Sequence, residues 1–161
     1  MKVLARSNTL LLDTNLLLLL FIGGKDSSLI QKARTLSAFV EDDYDLLGDI
    51  VNSNSFQSIV TTPHIMTEVS NLLGKEREDI RRFGREAMAD FLGKCNEQTD
   101  RSVVLVSEPE FNRLGLTDIA IAIASRLPAF VLTADLPLYL YVSSLGLEAE
   151  NFNHIRQGSW R

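Results

Sequence analysis

Apolar residues along this chain come in two kinds of stretch: short unbroken runs, and longer segments in which they recur every third or fourth position. Thr9 to Leu12 is a short apolar run ending at Asp13-Thr14-Asn15, which predicts a buried strand followed by a turn. Leu16 to Phe21 continues apolar, as a helix packed on a sheet would, and Gly23-Gly24 stops it. Leu29, Ala33, Leu36 and Val40 fall at helical spacing and predict a helix over 29–40. The polar stretch 41–58 has little pattern and reads as a long loop or loop-helix insertion. Ile59 to Thr61 predicts a second strand, after which Thr62-Pro63 supplies an N-cap and a first-turn proline. The helix that follows carries Ile65, Val69, Leu72 and Leu73 on one face. A longer helix from Lys75 to Cys95 is expected to bury Ile80, Phe83, Ala87 and Phe91. Val103 to Val106 predicts a third strand, Asp118 to Arg126 a very apolar helix, and Ala129 to Thr133 a fourth strand. A helix over Leu138 to Leu145 and a short strand over Leu147 to Ala149 complete the pattern.

Strands alternating with helices imply an α/β fold with three layers, α/β/α, around a mostly parallel central sheet. The 161 residues suit one domain over 1–161, with a core from about 9 to 153. Residues 154–161, with Trp160 among them, read as a frayed tail or a small docking surface. No run is long enough to span a bilayer, and 16–22 lacks the features of a signal peptide, so neither membrane nor secretion is expected. A single cysteine, Cys95, cannot pair internally and points to a reducing compartment, the cytoplasm.

The formal net charge of −5 argues against tight non-specific binding to nucleic acid. It is compatible with carboxylates clustered to hold cations, because such a cluster counts against the total. In open α/β sheets ligands bind beyond the carboxyl ends of the strands. Asp13 and Asp135 follow the first and fourth predicted strands, Asp118 opens an apolar helix, and Glu68 sits one position before the core residue Val69. Taken singly, each has an ordinary reading as a helix start, a turn residue or a solvated position. Taken together, converging carboxylates would repel one another unless cations neutralised them. Mg²⁺ and Mn²⁺ prefer such oxygen donors. With two histidines and one cysteine, the chain has no cluster suited to zinc.

Four segments, in order, resemble the motifs of the PIN-domain family: Leu-Leu-Leu-Asp-Thr-Asn at 10–15, Thr-Pro-His-Ile-Met-Thr-Glu-Val-Ser-Asn at 62–71, Leu-Thr-Asp-Ile-Ala-Ile-Ala at 116–122, and Val-Leu-Thr-Ala-Asp at 131–135. A helix and a Gly-led strand at Gly146-Leu147 follow, as in that family, and the resemblance runs from about residue 9 to about residue 153. It implies a nuclease fold that binds Mg²⁺ or Mn²⁺ and hydrolyses RNA. Asp13, Glu68, Asp118 and Asp135 would be the metal-binding and catalytic acids, with Asn15 and Thr133 orienting carboxylates or water. Many members are VapC-type toxins held inactive by an antitoxin protein, and homodimers are expected from the resemblance. The chain departs from a minimal toxin in its long stretch between the first two motifs.

Arg77, Arg81 and Arg85 form a row beside Glu78, Arg82, Glu86 and Asp90, either a grip for RNA phosphates or a partner, or a solvated face. His64, one turn before Glu68, would hydrogen-bond to it, touch substrate, or lie idle on the helix surface. The acids of 41–45 lack EF-hand spacing and read as a solvated loop. Two other functions compete with this reading. A PIN-like scaffold would bind RNA or protein without cutting, and a haloacid-dehalogenase-type phosphatase would need an acid where Asn15 stands. For a metal nuclease, Asp13→Asn is expected to abolish activity, leave the fold intact and relieve repulsion among the acids.

Overall fold

The computed structural model describes residues 5–159. Strand β1 (Thr9–Leu12) is buried along Leu10, Leu11 and Leu12 and passes through Asp13 into helix α1 (Thr14–Gly23). Helix α2 (Glu41–Val51), strand β2 (Ser58–Thr61), helix α3 (Pro63–Leu73), helix α4 (Glu78–Leu92) and strand β3 (Asn96–Glu97) follow. The second half contains the short helices α5 (Ser102–Leu105) and α6 (Phe111–Leu114), then α7 (Leu116–Ala124), β4 (Phe130–Thr133), α8 (Leu136–Ser144), β5 (Ala149–Asn151) and α9 (Phe152–Ser159).

The five strands form one sheet in the order β3-β2-β1-β4-β5, and every neighbouring pair is parallel. The fold is therefore α/β with helices flanking a parallel sheet in three layers. Leu11 in the central strand pairs with Val60 of β2 on one side and Val131 of β4 on the other. Strands with a helix on each face have no solvated side, which explains why β1 and β4 are unbroken apolar runs. The chain builds outward from β1 in one direction through β2 and β3, then restarts on its other side with β4 and β5. The strand order reverses at β1, and such a switch point leaves a crevice beyond the carboxyl ends of β1 and β4.

Helix α1 is apolar all round because it is enclosed: it packs against α2, α3 and α4, and Leu16 to Leu19 are wholly buried. On the other side α7 packs against α5, α6 and α8, with Leu105, Ile119 and Ala120 as a second small core. Helices α3 and α7 also meet each other. Among the described residues no helix is long and apolar enough to cross a membrane.

Several segments differ from the sequence expectation. The stretch 29–40 is two 3₁₀ turns, Ser27–Lys32 and Arg34–Leu36, although Leu29, Ala33 and Leu36 are buried as their spacing predicts. Ala33 is extended at φ −81°, ψ 127°, which frees the backbone N–H groups of Arg34 and Thr35 to donate to the buried carboxylate of Glu76. Helix α4 begins at Glu78, not Lys75. Within α4, Ile80 is buried, while Phe83, Ala87 and Phe91 are half-buried against the core. Residues 41–51 are helical. Asp43 is not solvated but buried, accepting from Val40 N–H and pairing with Arg156 at 3.0 Å.

The Val103–Val106 run is not a strand. It contains the helical turn α5, with Val103, Val104 and Val106 exposed and only Leu105 buried. The edge of the sheet beside β2 is taken by two polar residues, Asn96 and Glu97, for which burial offered no signal. Strand β5 lies at 149–151, two residues later than expected, after Gly146 turns the chain at φ +72°, a conformation glycine adopts freely. The tail is helical through Ser159, anchored by the buried Phe152 and the Arg156–Asp43 pair; Trp160 lies outside the described residues.

Candidate active site

Asp13 occupies the end of the central strand and is buried. Its Oδ1 accepts from the Leu16 N–H and so caps α1, while its Oδ2 accepts from the Thr133 hydroxyl and, at 2.8 Å, from the Ala134 N–H. Burial pushes its pKa up, against the pull of these hydrogen bonds, and the Asp135 charge adds to the rise. Thr133, at the end of β4, accepts from the Asp135 N–H at 2.9 Å as it donates to Asp13. Asp135 in turn caps α8, its Oδ1 accepting from the Leu138 N–H. The two strand ends at the crevice are thus tied together through carboxylates and one hydroxyl.

Asp118 and Glu68 approach from the helices. Gly115, at φ +83°, turns the chain into α7 and places Asp118 in its first turn, where the helix dipole favours a carboxylate. Other forces outweigh that help. Burial, and then the charges of Asp135, Asp13 and Glu68, push the Asp118 pKa from 3.8 up to about 7. All three other acids act on this one group, so the four positions singled out from sequence share one electrostatic neighbourhood. Glu68 lies on α3 and lines a 410 Å³ cleft between α3 and α7. Pro63, His64, Thr67 and Asn71 line it from the same helix, and Leu116 and Thr117 from the other.

The acids share a field without forming a ready cage. Among the described residues, no three His, Cys, Asp or Glu side chains are gathered as a metal-binding group. Both oxygens of Asp13 already accept from the protein. The donor set nevertheless suits a hard cation: it is all oxygen, it carries surplus negative charge, and the pKa of one carboxyl is pushed up to about 7. Mg²⁺, which retains several waters, needs only one or two such ligands.

The supporting positions divide. Thr133 donates to Asp13, whereas Asn15 is exposed and lines a separate 240 Å³ cleft with Ser37, Phe39, Ala134, Asn153 and Arg156. The basic row is broken. Arg77 precedes α4 and is bound to Asp79 at 2.6 Å, while Arg81 and Arg85 line a shallow cleft with Glu78, Arg82 and Glu86. His64 faces the Glu68 cleft, but its Nδ1 is buried without a hydrogen-bond partner.

Sequence reasoning missed Asn71, Thr67 and Thr117 around Glu68, and Asn153 and Arg156 beside Asn15. Helical spacing from Glu68 could have found Asn71, three residues on, and Thr67 lies one turn before Asn71 on the exposed side of α3. Nothing local marks Arg156, whose partner Asp43 is 113 residues away.

A scan against protein-family models finds no match to this chain, and a search of curated proteins finds none.

Proposed function

We propose that this chain is a metal-dependent endoribonuclease of the PIN class, hydrolysing RNA phosphodiester bonds at the crevice beyond β1 and β4. The observation that carries this reading is the placement of Asp118 at the crevice, part-buried and within the field of Asp135, Asp13 and Glu68, where burial first and those charges second push its pKa up to about 7. Uncompensated acids at a ligand-binding crevice cost stability, so their presence there points to a function that uses the charge.

Asp118 and Asp135 are the acids best able to take a cation, with Glu68 at the rim. Asp135 keeps one oxygen beyond its capping bond. When bound there, Mg²⁺ or Mn²⁺ supplies activation of water and neutralisation of charge on the phosphate. Asp13 acts as the fixed point: three hydrogen bonds lock its carboxylate, and through Thr133 it sets where Asp135 begins. Asp118 holds a proton near pH 7 that cation binding would release. Neither His64 nor His154 is arranged as an acid–base pair. His64 lies in the Glu68 cleft, and His154 lies 3.7 Å from Glu150 and packs edge-on against Tyr139. Cleavage is therefore expected to leave 5′-phosphate and 3′-hydroxyl ends rather than a cyclic phosphate.

The competing reading is a PIN-like scaffold that binds RNA or protein without cutting, and the lack of a gathered three-residue metal group favours it. One experiment separates the two: labelled RNA with Mn²⁺ or with EDTA, for wild type and Asp118→Asn. Cation-dependent cleavage lost in the variant supports the nuclease. Binding without cleavage in every condition supports the scaffold, and cleavage that survives EDTA removes the metal-nuclease reading.

A further inference from the structure

Resting on the ribonuclease reading, we propose that the cleft between α3 and α7 is a slot for one unpaired nucleobase of the RNA, with Asn71 determining which base it prefers. The volume, 410 Å³, lies within the range of small-molecule sites. Its lining decides the ligand chemistry. No lysine or arginine contributes to it, and Glu68 stands on its rim, so an anionic phosphate would be repelled there. Pro63 and Leu116 offer apolar surface to a flat ring, while the Asn71 amide and the Thr67 and Thr117 hydroxyls offer hydrogen bonds to its edge.

The His64 imidazole also lines the cleft, and aromatic side chains are among the surfaces on which unpaired bases stack. Unpaired RNA is read in this manner, by bases splayed out of the strand, stacked on side chains and hydrogen-bonded along their edges. Glu68 belongs to the acid group around Asp118, so a base seated here would bring its own strand to the acids.

The test uses the full chain in EDTA, so that binding is read without cleavage. Affinity for oligoadenylate, oligocytidylate and oligouridylate is measured by fluorescence anisotropy across a salt series. Wild type is compared with Asn71→Ala and with Thr67→Trp, which fills the slot from an exposed helix position. Thermal melting checks that each variant is folded. The expected result is a base preference in wild type that Asn71→Ala levels, with a loss on the order of 10-fold on the preferred oligomer. Thr67→Trp should weaken binding to all three. Neither variant should change the slope of log affinity against log salt, because no phosphate contact is lost. If wild type binds RNA and either variant binds as tightly, or if the slope shifts, the base slot is wrong, while the ribonuclease reading is still decided by Mn²⁺-dependent cleavage. If wild type binds none of the three oligomers, the base slot is wrong, and the ribonuclease reading is decided separately by Mn²⁺-dependent cleavage.

Discussion

Asp13 and Asp118 belong to one acidic group but are held in opposite ways. Asp13 sits where two strand ends meet, and its carboxylate is satisfied by the Leu16 N–H, the Thr133 hydroxyl and the Ala134 N–H. Asp118 enters from a helix and is described chiefly by what opposes its charge: burial and three neighbouring acids. Burial raises both pKa values, but Asp13 is part of the scaffold while Asp118 is poised. Donors offset part of the cost of burying a carboxylate, whereas one facing other carboxylates stores unfavourable energy that a cation can release.

Asp118→Asn should give the largest effect. Under the proposed function it lowers RNA cleavage ~10²-fold or more, measured with Mn²⁺ on labelled RNA. Its effect on stability follows from linkage. The folded pKa is raised above 3.8, so the native state binds the proton more tightly than the unfolded chain, and stability falls as pH rises from about 4 to about 7. The amide escapes that penalty. Denaturant unfolding should show Asp118→Asn more stable than wild type at alkaline pH, by roughly 2 kcal/mol after allowing for solvent screening, and close to wild type below about pH 4. A variant less stable at both pH values would contradict the repulsion.

Asp13→Asn should lose activity too, but its stability should move the other way. The sequence alone suggested relief of repulsion. The hydrogen bonds reverse that expectation, because an amide NH₂ cannot accept from the Leu16 or Ala134 N–H it would face. The expected loss is about 1–3 kcal/mol by urea unfolding. An increase in stability would erase the distinction between the two acids.

Glu76→Gln tests the same rule away from the crevice. This buried carboxylate accepts from the Arg34 and Thr35 N–H groups and from the Thr35 hydroxyl, so the amide should cost about 1–3 kcal/mol while RNA cleavage is retained. Thr133→Val removes the hydroxyl between Asp13 and Asp135 at nearly constant volume. It should cost about 1–2 kcal/mol and also slow cleavage, which a purely structural link would not do. The smallest effect is expected for Arg81→Ala with Arg85→Ala. If these side chains touch phosphates, the log–log salt slope for single-stranded RNA should fall by about 0.7 per contact, and an unchanged slope assigns them to solvated surface.

Local sequence determined those features whose cause is local. Strands β1 and β4 were legible because burial on both faces demands unbroken apolar runs, and α3 because Thr62 and Pro63 are a helix start whatever surrounds them. The acids at 13 and 135 were legible because they follow such strands, and those at 68 and 118 because of their place in ordered motifs. Tertiary structure decided the rest. It placed the polar pair Asn96–Glu97, not the Val103–Val106 run, at the sheet edge, because an edge position requires backbone pairing more than burial. It broke the periodic 29–40 stretch, because Glu76, more than forty residues away, draws on the backbone donors there. It also separated Asp13 from Asp118: the charges are alike in sequence, and only the groups packed around each decide whether a carboxylate is held by donors or opposed by its neighbours.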